Sequence, residues 1–333
     1  MIQEQISTSS PRCLDGNAGF GIVAQTSGMA PHVARDVGAL SGYSHLFSAG
    51  DAKNPVAFLH VVRRTGGMNR HILSRVADSG NDYTGRSNRI GHHWIVEESD
   101  IHSLPCGPAA IVSQHNLFST AWNEKSQELP RGKQLPNPQV SAGICRNWQQ
   151  RFGDAGWGGV VAEWVEKGDP ISIIFEPGMD VLPFLAEVFA LLSPSVRWKT
   201  TFSTYFMKSQ EPPNSPKIQI KCIVAGSDEM AFARLNPHTL LIDLRRLPKE
   251  QPTGKYVEFA RTGVFTEPVI SKPAQAVRLQ PTQAEQELEL FLVQEPDAIK
   301  IYDIASTSIS VPLATPIEKR AVPIPNQNHR FFG

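Results

Sequence analysis

Two alternating runs separated by Gly66-Gly67 constrain this chain more than any other feature. Val56–Arg64 places Val56, Phe58, His60 and Val62 on one face, and Arg70–Ala77 alternates again through Ile72, Ser74 and Val76. A side-chain period of two means a strand, and two strands around a glycine pair mean a tight β-hairpin. A chain that contains such a hairpin must build a sheet and bury one of its faces. The second strand runs straight into the most polar, chemically capable stretch of the sequence, Arg75 to Glu97. There Asp78, Asp82, Tyr83, Thr84, Arg86, Asn88, Arg89, His92 and His93 lie among Gly80, Gly85 and Gly91, and His92–Glu97 reads as another strand. The residues between are expected to form an exposed loop that the sheet holds stiff, the kind of place where binding residues concentrate.

The flanking segments supply the rest of an α+β domain. Residues 1–13 are polar and expected to be loose, and Gly19–Gln25 reads as a buried strand. Pro31 opens a helix with Val33, Val37 and Leu40 at helical spacing. Gly107–His115, Ser141–Phe152, Trp157–Glu166, Val181–Leu192 and Gly254–Gly263 read as helices. Pro170–Phe175, Val196–Met207, Ile218–Ala225 and Thr239–Leu244 read as strands, the second of them long, with Val196, Trp198, Thr200, Phe202, Thr204 and Phe206 on one side. Residues 123–139 are polar and proline-rich, a surface linker. Beyond about residue 265 prolines recur at 268, 273, 281, 296, 312, 316, 323 and 325, and only Gln283–Val293 has a helical pattern. The expected architecture is α+β: a mixed, mainly antiparallel sheet with packed helices over residues 14–263, divisible near 130, and then a largely disordered tail over 264–333.

Composition narrows the function classes. Lys+Arg and Asp+Glu are both 32, so no basic footprint marks a nucleic-acid partner. Cys13, Cys106, Cys145 and Cys222 stand far apart with no C-x-x-C pair, which fits reduced thiols in a cytoplasmic protein. The N-terminal residues lack an apolar h-region, so no signal peptide is expected. The most apolar run, Val181–Leu192, is too short for a membrane span.

Each candidate chemistry has a plainer competitor. Neighbouring side chains on a strand face opposite ways, so His92 and His93 do not both reach one metal ion, and neither a metal nor a cofactor is expected. A histidine bonded to backbone in the core explains them more simply. Tyr83–Arg89 could receive an anion, with Gly85 freeing backbone N–H groups and Arg86 and Arg89 forking a phosphate or carboxylate. The plainer account is that Asp82 pairs with Arg86 or Arg89 and shapes the loop. No G-x-x-x-x-G-K-[ST] run exists, and the glycines of Gly153–Glu163 lack dinucleotide order. Ser203, Tyr205 and Cys222 sit on strand patterns with no nucleophile elbow, and read as sheet residues.

The segments GFGIVAQTSGM, LSGYSHLF, NPVAFLH, SRVADSGNDYTGRSNRIGHHWIVE, GDAGWGG and RWKTTFSTYF, in this order over residues 10 to 225, resemble the type 2 N-terminal domain of bacterial GTPase-associated protein 1. The resemblance implies a cytoplasmic component of systems built around small GTPases and other NTPases. It also implies a non-enzymatic adaptor or regulatory role with a protein partner, and no catalytic residues to carry over. The family's most characteristic run falls on Asp82, Tyr83, Thr84, Gly85, Arg86, Asn88, His92 and His93. The alternative is a nucleotide- or phosphate-ligand-binding domain, or a cryptic enzyme, using Arg86, Arg89 and one of the two histidines.

Overall fold

A computed structural model describes residues 1–212 and 215–265. The tail expected over 264–333, and the helix pattern at Gln283–Val293, lie outside the described residues except for positions 264 and 265.

The strands are β1 (Gln3–Ser10), β2 (Gly19–Thr26), β3 (Ala57–Thr65), β4 (Met68–Asn81), β5 (Ser87–Glu97), β6 (Gln127–Leu129), β7 (Ile171–Phe175), β8 (Phe202–Ser203), β9 (Ile220–Val224) and β10 (Leu240–Asp243). The helices are α1 (Pro31–Gly38), α2 (Pro108–Val112), α3 (Arg146–Phe152), α4 (Gly156–Lys167), α5 (Leu182–Leu191), α6 (Pro194–Lys199), α7 (Asp228–Leu235) and α8 (Val257–Thr262). Among the described residues all ten strands join one sheet in the order β10-β7-β9-β8-β3-β4-β5-β1-β2-β6. Its centre, from β8 through β2, is antiparallel. The β10-β7-β9-β8 side and the β6 edge are parallel. The sheet is thus mixed and mainly antiparallel.

The β3–β4 hairpin forms around Gly66 and Gly67, both at positive φ (61° and 81°), as a tight turn between right-twisted strands requires. Its register sets Val62 opposite His71 and His60 opposite Leu73. The main core lies between the sheet and helices α2 to α6 and α8, with Trp148, Phe175, Phe189 and Phe202 fully buried. Each such side chain contributes about 2–3 kcal/mol through removal from water. A second cluster lies under α1, where Val33 and Val37 meet Val61, Ile72 and Ile95. The glycines of α4 serve packing: a Cβ on Gly159 would stand 2.4 Å from the Tyr256 carbonyl oxygen, so α8 crosses there at backbone distance.

Several expectations change. Residues 3–10 are not loose: they form β1, between β5 and β2. Their polarity hides the strand, because Glu4, Gln5, Ser7 and Thr8 are buried beside a single large apolar residue, Ile6. The long strand expected over Val196–Met207 is α6 followed by the two-residue β8. Pro194 sits in the first turn of α6, where its missing N–H costs nothing, and so opens the helix. Only the second half of Ser141–Phe152 is helical, and Ser141 caps nothing. The 123–139 segment contributes β6 to the far edge of the sheet.

Candidate functional site

The polar stretch between Arg75 and Glu97 is mostly hairpin. β4 runs to Asn81 and β5 starts at Ser87, with Asp78 opposite Arg89 and Asn81 opposite Ser87. The loop expected over Asp82–His93 is therefore a five-residue turn, Asp82–Arg86. The residues after it are strand because all but Asn88, which sits at a ladder irregularity, find a cross-strand partner.

Asp82 builds the turn. Its N–H donates to the Arg86 carbonyl at 2.7 Å, and its own carbonyl accepts from Gly85 N–H at 2.9 Å. Its carboxylate accepts from the Thr84 hydroxyl (2.6 Å), from the N–H groups of Thr84 (2.8 Å) and Arg86 (3.1 Å), and from the Ser9 hydroxyl (2.9 Å). The Thr84 hydroxyl, with these other donors, holds the carboxyl well below the usual carboxylate range. Gly85 takes φ 83°, which a side chain would strain. Below the turn, Asp78 makes a second knot. It accepts from Gly50 N–H (2.7 Å), Gly80 N–H (2.8 Å) and the Asn54 amide (2.8 Å), and faces His45 Nε2 at 3.2 Å. Burial alone would raise its pKa, and these donors outweigh burial and lower it.

What this frame presents is Tyr83, Thr84, Gly85 and Arg86, all exposed. Tyr83 is 50% exposed. The Arg86 side chain is 71% exposed; its Nε donates to the Thr84 hydroxyl at 2.8 Å, and Nη2 stands 3.7 Å from Asp82 Oδ2. The guanidinium is thus fixed at its root and open at its end, and the phenol stands half exposed.

The remaining candidates lie elsewhere. Asn88 is buried and ties β5 to β1, accepting from Ser9 N–H and donating to Thr8 Oγ1. Arg89 is half-buried, donates through Nε to the Ser41 carbonyl (2.7 Å) and lies 3.8 Å over the Phe20 ring. His92 and His93 are buried on opposite faces. His93 is held between the Ser41 and Ser74 hydroxyls (2.8 and 2.7 Å), and burial pushes its pKa down to about 3. His92 packs beside Trp94 and Phe118. Its Nδ1 accepts from Ser119 N–H at 2.8 Å, so the ring proton is on Nε2, 3.0 Å from Glu4 Oε1. Burial holds His92 neutral, and Glu4, which also pairs with Lys133, stays ionised.

The structure therefore joins Asp82 through Arg86 and separates them from Asn88, Arg89, His92 and His93. Among the described residues no group of three or more His, Cys, Asp or Glu side chains is placed to hold a metal ion. All four cysteines are unpaired and buried, and burial raises the thiols of Cys106 and Cys145 to about 11 and 12. None is an activated nucleophile. Among the described residues no helix is long and apolar enough to cross a membrane. The turn offers contact chemistry: an aromatic ring and a guanidinium, the side chains that most often anchor protein interfaces.

Sequence reasoning passed over one polar cluster, His60 with His71, because the two are eleven residues apart. The register implied by Gly66-Gly67 was the available signal, since it sets 62 opposite 71 and so puts 60 diagonally beside 71.

Residues 1–135 match the family model of the GTPase-associated protein 1 N-terminal domain type 2. Residues 145–246 match the model of the GTPase-associated protein 1 middle domain, within which GDAGWGG and RWKTTFSTYF fall. Neither a curated protein nor a solved structure matches the chain.

Proposed function

Because this chain resembles GTPase-associated protein 1 through both its type 2 N-terminal domain and its middle domain, we propose that it is a non-enzymatic adaptor or regulatory module of a bacterial small-GTPase or related NTPase system. It acts in the cytoplasm and contacts its protein partner through the Asp82–Arg86 turn. The observation that carries this reading is the division of labour in the turn. Asp82 spends its carboxylate on shape, and Tyr83 and Arg86 are left to face solvent. A turn whose backbone is preorganised in this way loses little further freedom when it binds.

The tip alone is far smaller than the roughly 800 Å² per partner of an ordinary stable interface. The turn therefore works as an anchor that enters a pocket on the partner, with neighbouring surface completing the contact. The test is capture of recombinant small GTPase and NTPase-system proteins from the same genome by the full chain, by Arg86→Ala and by Tyr83→Ala. Retention should fall by roughly tenfold for either variant, the size of effect an anchor side chain has. Equal retention by all three proteins removes the turn as the contact.

A further inference from the structure

A cleft of about 590 Å³ opens at the other end of β4 from the turn, lined by Val62, Asn69, His71, Glu98, Trp198 and Lys199 among others. Behind it lies a chain of hydrogen bonds whose protons can be placed one by one. His60 is fully buried, and its Nδ1 stands 2.7 Å from the Thr200 carbonyl oxygen. A carbonyl only accepts, so this Nδ1 carries a proton. Burial pushes the His60 pKa down to about 3, so the ring is neutral and its Nε2 is a bare lone pair. That lone pair lies 3.0 Å from His71 Nδ1, which must therefore donate. Burial also lowers the His71 pKa, which leaves His71 neutral with Nε2 unprotonated.

His71 Nε2 has no hydrogen-bond partner among the described residues, although the residue is only 6% exposed. It cannot swing to find one. The two imidazoles stack at 5.3 Å and 7° from parallel, and Trp198 stands edge-on to both at 5.6 and 5.2 Å. Trp198 is itself pinned through Nε1 to the Leu104 carbonyl at 2.7 Å. An acceptor fixed in direction, with no internal use and open to the cleft, is available to a donor that a ligand brings.

The rest of the cleft says what that something is. Glu98, whose charge is felt at His71, adds a second acceptor, and among the described residues its one side-chain hydrogen bond is from the Asn69 amide at 3.4 Å. Val62, Ile101 and two prolines make the walls apolar. Among the described residues Lys199 is the one lysine or arginine in the lining, so a polyphosphate would meet Glu98 with little to offset it. Asn69, His102 and Ser195 add polar groups to the lining, and the two acceptors beside an apolar wall fit a ligand with two donors on an apolar ring.

We propose that this cleft binds a small amino-substituted nitrogen heterocycle, the chemical class of purine bases, whose ring N–H donates to His71 Nε2 and whose exocyclic amino group donates to Glu98. The ring faces lie against Val62 and Ile101, and the volume falls in the range of ordinary ligand pockets. This site is separate from the Asp82–Arg86 turn and stands or falls without it.

The test uses the full chain labelled with ¹⁵N-histidine and long-range ¹H–¹⁵N spectra of the rings, titrated with 2-aminobenzimidazole, adenine and inorganic phosphate. Free protein should show His60 and His71 as neutral rings protonated on Nδ1. Either heterocycle should shift the His71 Nε2 signal, phosphate should not, and Glu98→Gln should weaken the response by roughly tenfold. Glu98 is exposed, so that variant keeps the fold. His71 protonated on Nε2 in the free protein, no shift with either heterocycle at millimolar concentration, or a shift with phosphate alone would each overturn the proposal.

Discussion

The parallel and antiparallel sides of the sheet are stabilised by different means. β7, in the parallel side, buries all five residues of Ile171–Phe175, as a strand covered on both faces must. The antiparallel centre instead buries Glu4, Thr8, His60, His71, Ser74, Asn88, His92 and His93. Most of these are positioned by hydrogen bonds to neighbouring strands and turns. Apolar burial is non-directional and tolerates repacking, whereas a buried hydrogen bond fixes where each atom points. Both solvent-facing features, the turn and the His71 cleft, grow out of the antiparallel centre, where direction is specified.

Acid should separate the two sides most sharply. His60 and His93 hold pKa values near 3 when folded, against about 6.5 for an ordinary imidazole. Between those values the unfolded chain takes up protons that the sealed rings refuse, so stability falls as pH drops below about 6.5. Between pH 6.5 and 4.5 the loss should be roughly 2–3 kcal/mol per ring. Urea midpoints across this range check it, and a flat profile would mean that the rings are not sealed. Next in size, Trp148→Ala on the helix-covered parallel side should cost about 3–5 kcal/mol by leaving a cavity beside Phe184. That loss should be nearly independent of pH, and a strongly pH-dependent one would break the comparison. Asp82→Ala should lower the urea midpoint by less than Trp148→Ala does, since several donors lose their acceptor at a partly solvated turn. Because its folded pKa is depressed, the Asp82 contribution is present at neutral pH and is lost only on acidification through and below the usual carboxylate range. Smallest of all, Arg86→Ala should change stability by less than about 0.5 kcal/mol, because its guanidinium is 71% exposed. A larger loss would move Arg86 from contact to scaffold.

What could be read in the sequence follows a different division. Segments marked by a local pattern were legible: the β3–β4 hairpin from its alternation and glycine pair, although it buries His60, His71 and Ser74, and β7 and α5 from apolar runs. Segments whose state depends on distant partners, or that straddle an element boundary, were not. β1 is nearly all polar, and its strand state depends on partners such as Thr26 and Asn88 that lie far along the chain. α6 was concealed by the alternation of Trp198, Thr200 and Phe202, which straddles a helix end and a two-residue strand. In the site, the chemistry of Asp82–Arg86 was visible as composition. His92 and His93 were legible as strand residues, but that Asn88 and Arg89 already belong to β5 depended on cross-strand contacts, which the polar run conceals.

The join between β3 and β8 carries a last consequence. Leu59 and His60 pair with Ser203 and Phe202, and Phe58 and Thr204 exchange two further hydrogen bonds. One side of this seam comes from the stretch before residue 135 and the other from the stretch after 145. Splitting the gene between them would strip β3 bare and leave an open row of N–H and C=O groups, the template on which sheets aggregate. Produced together as two fragments, the pieces carry complementary edges, and reassembly along that seam is the natural fate of a plate broken across its middle.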